Sequence, residues 1–114
     1  MPAIASDSAS SREATGHRAV GTIQDVLTAL SDPVRLEMVR RLSAADGQLP
    51  CAALYDGISK STASHHFKVL LEAGVSERVV EQGQACQRLR SAAVEKRFPG
   101  LLDSVISAAN IDRI

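Results

Sequence analysis

The chain has 114 residues, of which 45% are hydrophobic, enough for one domain with a modest core and too few for a plausible second domain. Because 13 Lys and Arg balance 13 Asp and Glu, charge spread over the whole surface cannot hold the protein on a polyanion, so any basic footprint must be local. No stretch approaches the roughly 18 apolar residues of a membrane helix, and no basic segment followed by an apolar one opens the chain, so we expect a cytoplasmic protein without a membrane partner.

The first predicted elements are a tail and an amphipathic helix. Residues 1–16 are rich in Ser and Ala and have no apolar period, which predicts a flexible tail before a single domain over 17–114. From about His17 an apolar stripe recurs at helical spacing and predicts the first helix. The stripe consists of Val20, Ile23, Leu27 and Leu30.

A second helix is predicted over about 33–43. Pro33 is favoured at the first position of a helix, and Ser31 or Asp32 can cap it. The predicted inward positions are Leu36, Val39 and Leu42, and the predicted cationic side is Arg35, Arg40 and Arg41. A turn at Asp46-Gly47 and a short extended piece at Gln48-Leu49 follow.

The next two helices carry the most information. Residues 51–55 predict one or two helical turns that end at Gly57, and Ser59 can cap a longer helix over about 61–73. The apolar face of this longer helix is Ala63, Phe67, Leu70 and Leu71. Its opposite arc is Ser61, Ser64, His65, Lys68 and Glu72.

The rest of the chain predicts a hairpin and two helices. Residues 75–81 and 85–90 alternate like strands around a glycine-containing turn at 82–84. A short helix over 91–97 follows, and Pro99 opens a last helix with an apolar face formed by Leu101, Leu102, Val105, Ile106 and Ala109. The fold class is therefore mainly α with a small β-hairpin wing, a winged helix-turn-helix in the order α-α-β-α-α-β-β-α.

The polar arc of the longer helix suits a DNA major groove. Residues near the N-terminal end of such a helix reach base edges, and lysines at its border reach phosphates. We expect base contacts from Ser61, Thr62, Ser64 and His65, and phosphate contacts from Lys60 and Lys68. For His66, packing and a phosphate contact are equally open. A merely solvated face is the alternative, but the position between a glycine-stopped turn and a hairpin favours DNA.

The chain resembles the ArsR/SmtB family of bacterial winged-helix repressors over about 23–105. Residues 30–36 read Leu-Ser-Asp-Pro-Val-Arg-Leu, similar to the family's L-x-D-P-x-R-L opening of the second helix. Residues 59–70 are similar to its S-x-S-T-x-S-H-H-L-x-x-L recognition helix, and 72–75 to its E-A-G-L/V exit. The resemblance implies a homodimer, formed through the first and last helices, that binds an inverted-repeat operator and blocks transcription.

The wing and the metal-sensing motifs depart from that family. Relatives carry several wing arginines, whereas only Arg78, Arg88 and Arg90 remain here, so we expect more of the affinity to come from the recognition helix and the second-helix arginines. The family's Cys-x-Cys set would fall where Cys51 stands alone, and its Asp-x-His set lacks the histidine after Asp103. We therefore expect no metal site and no cofactor, and the inducer is not readable.

The two cysteines, Cys51 and Cys86, suggest a redox hypothesis. In winged helices the short strand before the third helix pairs with the second wing strand, which would make the two cysteines neighbours. A disulfide would then tether the wing, or the two thiolates could hold a thiophilic species such as trivalent arsenic. Two small, partly buried cysteines without a role are an equally open interpretation.

Two functions from different classes remain open. The polar arc favours a DNA-binding repressor, whereas the weakly charged wing slightly favours a winged-helix module that contacts only proteins. An enzyme is a distant third, because the chain has no glycine-rich phosphate loop and no paired carboxylates in a plausible cleft.

Overall fold

The computed structural model describes residues 18–113 and has the predicted winged-helix order. The predicted tail over 1–16 lies outside the described residues. The helices are α1 (Ile23–Leu30), α2 (Pro33–Ala44), α3 (Lys60–Glu72), α4 (Ser91–Arg97) and α5 (Leu101–Asp112), with a 3-10 turn at Cys51–Leu54 before α3. The strands are β1 (Gln48–Pro50), β2 (Ser76–Glu81) and β3 (Gln84–Leu89).

The start of α1 differs from the prediction by six residues. The Thr22 hydroxyl accepts a hydrogen bond from the Asp25 amide at 3.1 Å, and the Asp25 carboxylate accepts one from the Thr22 amide at 3.1 Å. This reciprocal cap begins the helix at Ile23, because it satisfies amides that have no partner at a helix start. The prediction of a helix from His17 is therefore wrong, and the segment just before Thr22 is not helical.

The apolar stripe of α1 is only partly buried. Val26, Ala29 and Leu30 enter the core, although only Leu30 belongs to the predicted stripe. Ile23 and Leu27 each keep 44% of their surface exposed. The single chain therefore leaves an apolar strip of α1 uncovered.

The core surrounds α2, which packs against α1, α3 and α5. Val39 and Leu42 are buried as predicted, whereas Leu36 is half-buried and Met38 is fully buried. The other helices contribute Ala63 and Leu70 from α3, Val94 from α4, and Leu102 and Ile106 from α5. The apolar faces predicted for α3 and α5 are thus the ones that face inward.

The three strands form one antiparallel sheet in the order β1-β3-β2. Pro50 of β1 lies opposite Cys86 of β3, which confirms the predicted pairing between the short strand and the second wing strand. The wing turn has two central residues, Gln82 and Gly83, with φ of 52° and 77°. Positive φ at both positions is typical of a tight type I′ turn, so the turn is one residue shorter than predicted.

Gly74 fixes the exit from α3 in two ways. Its φ of +80° lies in the left-handed region, and a Cβ there would stand 2.6 Å from the Val20 Cα and 2.7 Å from the Ala19 carbonyl oxygen. Next to it, the Gly21 amide donates to the Ala73 carbonyl at 2.9 Å. The chain entering α1 therefore docks on the end of α3, where a side chain would push it away.

We expect Gly74→Ala to destabilise the protein far more than Gly57→Ala. Gly57 also has a left-handed φ, +75°, but nothing lies within 4 Å of its Cβ position. Gly57→Ala, the control, should lower the free energy of unfolding by about 1–2 kcal/mol, because alanine disfavours the left-handed conformation. Gly74→Ala should cost about 2 kcal/mol more, because backbone must move. Urea unfolding followed by circular dichroism measures both variants, and equal losses would contradict the close docking of residues 19–21.

Candidate nucleic-acid interface

The N-terminus of α3 is built from hydroxyl side chains. Ser59 caps the helix, and its hydroxyl accepts a hydrogen bond from the Thr62 amide at 3.1 Å. The same hydroxyl lies 3.0 Å from the Thr62 Oγ1 and 3.2 Å from the Ser61 Oγ. Both Ser61 and Thr62 are exposed, so short hydrogen-bonding side chains stand at the positive end of the helix dipole.

The predicted polar arc of α3 is open to solvent along its whole length. Its five members, Ser61, Ser64, His65, Lys68 and Glu72, are all exposed. Lys60, at the first position of the helix, is exposed as well. Within residues 18–113, neither Lys60 nor Lys68 forms an ion pair. This face therefore offers hydrogen-bonding groups and unneutralised positive charge on one side of a helix.

The two adjacent histidines have different environments. His66 is largely buried, and its Nδ1 lies 3.0 Å from the Arg35 Nη1 and 3.8 Å from the Asp32 carboxylate. Because arginine can only donate, His66 Nδ1 is the acceptor in this contact. His65 is exposed. Of the two roles left open for His66, the structure favours packing.

Asp32 and Arg35 hold this histidine through the start of α2. Asp32 Oδ2 accepts from the amides of Val34 at 2.8 Å and Arg35 at 3.1 Å. Burial opposes ionisation of Asp32, but these two backbone hydrogen bonds and the Arg35 charge outweigh it and lower its pKa. The carboxylate therefore remains ionised and caps α2 while it lies close to His66.

The wing places its arginines on opposite faces. Arg78 pairs in register with Gln87, whereas Glu77 pairs with Arg88. Since side chains alternate along a strand, Arg78 points to the side of α3 and Arg88 to the other side. Arg88 also donates to Glu77 at 2.8 Å. Arg90, in turn, donates to the Gly74 carbonyl at 3.1 Å, which gives it a role in anchoring the wing.

Two of the three arginines on the predicted cationic side of α2, Arg40 and Arg41, are paired with carboxylates of the chain. The Arg40 Nε and the Arg41 Nε each lie 2.9 Å from a Glu37 carboxylate oxygen. The Arg40 hydrogen bond, aided by Arg41, lowers the pKa of Glu37 to about 2 despite partial burial. Arg41 also pairs with Asp56 at 3.0 Å. Arg40 and Arg41 therefore already share carboxylates within the chain, which reduces the charge they can offer to DNA. Their contribution to DNA affinity stays a prediction.

Cys51 and Cys86 are both free thiols, and they lie on opposite faces of the sheet. The Gln87 side chain donates to the Cys51 sulfur at 3.8 Å, which places that sulfur on the face of Gln87. Alternation puts Cys86, the preceding residue of β3, on the other face. The strand pairing predicted from sequence is present, but both thiols are free and their side chains point to different faces, so this geometry does not favour a disulfide between them.

Several predicted residues meet around one cleft. Lys60, Ser64 and Lys68 of α3 line it together with Arg78 of the wing. Ser61, Thr62 and His65 lie on the adjoining exposed surface of α3, and Arg88 lies apart on the far face of the wing. Tyr55 and Gln87 also line the cleft, and neither is among the residues predicted for the site.

Among residues 18–113 there is no group of three or more His, Cys, Asp or Glu side chains arranged to hold a metal ion. None of the described helices is long and apolar enough to cross a membrane.

Comparisons with known proteins find relatives of this chain. A family model described as a helix-turn-helix domain matches residues 30–79. An uncharacterized HTH-type transcriptional regulator of Bacillus subtilis (strain 168), YceK, is 33% identical over 82 residues, which cover 70% of this chain and 82% of that protein. The crystal structure of the transcriptional repressor BigR from Xylella fastidiosa is similar, with a TM-score of 0.52 and 30% identity, covering 67% of this chain and 85% of that one.

The two histidines provide a matched test of this surface. We expect His66→Ala to lower the free energy of unfolding by about 1–2 kcal/mol, because it leaves a half-buried Arg35 donor without its acceptor. His65→Ala should change stability by less than about 0.5 kcal/mol and instead weaken DNA binding. Urea unfolding and a mobility-shift titration measure the two effects. If both variants lost stability equally, the division between inward and outward histidines would be wrong.

Proposed function

Because the chain belongs to the helix-turn-helix transcriptional regulators, which bind DNA, we propose that it is a repressor of the ArsR type that binds an inverted-repeat operator as a homodimer. The observation that carries this proposal is the polar arc of α3, which is exposed along its length and is accompanied by Lys60; neither Lys60 nor Lys68 has an ion pair in the described residues. Repression is supported by the structural similarity to the transcriptional repressor BigR.

The proposed docking places α3 in the major groove. Its N-terminal hydroxyl residues, with His65, would read base edges, because short polar side chains allow a close approach. Lys60 and Lys68 would bind phosphates, and Arg78 would add a contact from the wing on the same side. Arg88 would contribute less, since its guanidinium is paired with Glu77. The proposed readers of base edges are Ser61, Thr62, Ser64 and His65.

The uncovered apolar residues support a dimer through the first and last helices. Ile23 and Leu27 lie one turn apart on α1, and Ile111 on α5 is 69% exposed. Both helices pack against α2. A second copy related by a two-fold axis would cover these side chains and present a second α3 to the matching half-site.

We expect Leu27→Glu to convert a dimer into a monomer. A charge in the middle of the proposed interface would have to be buried without a partner. Val80→Glu is the control, because Val80 is 61% exposed on the wing and away from α1 and α5. Sedimentation velocity should give twice the chain mass of 12.1 kDa for the wild type and the control, and a single chain for Leu27→Glu. A monomeric wild type at micromolar concentration would reject the dimer.

Salt dependence of DNA binding tests the phosphate contacts. We expect Lys68→Gln and Arg78→Gln each to weaken binding to DNA upstream of the gene and to reduce the log–log salt slope by about 2 per dimer, one phosphate per protomer. Arg88→Gln should have a smaller effect. Lys96→Gln, on the exposed surface of α4, is the charge-matched control and should leave the slope unchanged.

Mobility-shift titrations across a salt series measure these slopes. Unchanged slopes for Lys68→Gln and Arg78→Gln would reject the proposed contacts. Absence of specific binding by the wild type would reject the repressor and favour a winged-helix module that contacts proteins.

A further inference from the structure

The cleft between α3 and the wing has the composition of a ligand site. It has a volume of about 430 Å³ and is enclosed by the 3-10 turn, one side of α3 and the sheet. We propose that it binds a small organic anion with an aromatic or acyl body, and that this anion competes with DNA. The binding step stands by itself, and the competition rests on the proposed repressor function.

The floor of the cleft is apolar. The Tyr55 and Phe67 rings meet edge to face, with centroids 6.2 Å apart and planes at 65°. Both rings are only half-buried, and Leu71 and Ala85 extend the same surface. Covering these half-buried rings with another apolar group is favourable, because it removes apolar surface from water. The body of the ligand is therefore expected to be flat or flexible hydrocarbon.

Cations stand around the opening of the cleft. Lys60 and Lys68 line it from α3, and Arg78 lines it from β2. In the part of the chain that the structure describes, none of the three forms an ion pair with a carboxylate. Three positive charges around one apolar opening favour an anion and disfavour a cation of the same shape.

Gln87 adds a buried polar group to the same cleft. Only 4% of its surface is exposed, and its Oε1 accepts from the Ser76 hydroxyl at 3.4 Å. Its Nε2 has two hydrogens, and one of them points to the Cys51 sulfur at 3.8 Å, which is a weak acceptor. A buried amide hydrogen normally has a good acceptor, and a ligand carboxylate oxygen would provide one.

The size of the cleft limits the ligand to a small molecule. Small-molecule sites commonly have volumes of roughly 300–1,000 Å³, and the cleft falls near the lower end of that range. An aromatic acid of one or two rings or a short fatty acid would fit, whereas a folded partner would not enter.

Ligand and DNA would share the same groups. Lys60, Ser64 and Lys68 line the cleft and are also proposed to contact DNA. An anion held by these side chains would remove their charge from the DNA-facing surface. Because coupled binding is reciprocal, DNA must lower the affinity for the anion by the same factor by which the anion lowers the affinity for DNA. The bound anion would thus act as an inducer that releases the operator.

Naphthalene-2-carboxylate is a suitable probe, and naphthalene-2-methanol is its neutral counterpart. Titration of the full-length, DNA-free protein by calorimetry should give a dissociation constant below about 1 mM for the carboxylate and at least tenfold weaker binding of the alcohol. Lys68→Gln and Arg78→Gln should each weaken carboxylate binding about fivefold, and Gln87→Leu by a similar factor. Lys96→Gln should have no effect.

Three results of this titration would overturn the proposal. They are equal binding of the alcohol, an effect of Lys96→Gln as large as that of Lys68→Gln, and no carboxylate binding at millimolar concentration. The surface substitutions do not touch the core, so the test does not depend on how Gln87→Leu folds.

A separate DNA titration distinguishes this proposal from the repressor function. A protein that binds the carboxylate and not DNA would retain the cleft and overturn the repressor. A protein that binds DNA and not the carboxylate would overturn the cleft alone. When both bind, added carboxylate should lower DNA affinity, and unchanged affinity would overturn the competition.

Discussion

One guanidinium group, that of Arg35, joins three helices. Its Nε donates to the Ala29 carbonyl at 2.8 Å and its Nη2 to the Thr28 carbonyl at 3.3 Å, both at the end of α1. The last carbonyls of a helix lack an amide partner one turn further on. The Thr28 carbonyl also accepts from the Ser31 amide and hydroxyl, and Arg35 supplies the donor to the Ala29 carbonyl. Its third contact, to His66, reaches α3. Since neighbouring helix positions point about 100° apart, fixing His66 inward turns His65 outward.

The wing depends on a second contact zone, at the end of α3. The chain entering α1 docks at Gly74, and the Arg90 guanidinium bonds the Gly74 carbonyl from the other side. The Arg90 amide also donates to the Val75 carbonyl at 2.8 Å. These contacts set the angle between α3 and the hairpin, and therefore the width of the cleft between them. The proposed DNA contacts from α3 and from Arg78 share one surface because of this junction.

Features encoded by neighbouring residues could be predicted from the sequence, and features that join distant segments could not. Pro33 and Ser59 mark the starts of α2 and α3 to within a residue, because caps are local. The start of α1 was missed although Thr22 and Asp25 have the spacing of a capping box. The ion pairs on α2 could have been predicted from the sequence, because Glu37 precedes Arg40 and Arg41 by three and four residues. The position of Gln87 in the cleft could not be predicted, because it depends on the pairing of strands that are distant in the sequence.

Because the net charge of the chain is zero, any attraction of anions must come from a local group of cations. On α2 and on the far face of the wing, carboxylates pair with arginines: Glu37 pairs with Arg40 and Arg41, and Glu77 pairs with Arg88. The lysines of α3 and Arg78 lack such partners in the described residues and line one cleft, so three positive charges without a carboxylate meet where α3 faces the wing. A polyanion and a small organic anion would both be attracted to this cleft. Salt screens the charges that lie more than about 10 Å away, so the cations that line the cleft dominate the attraction. Competition between them would then need no conformational change.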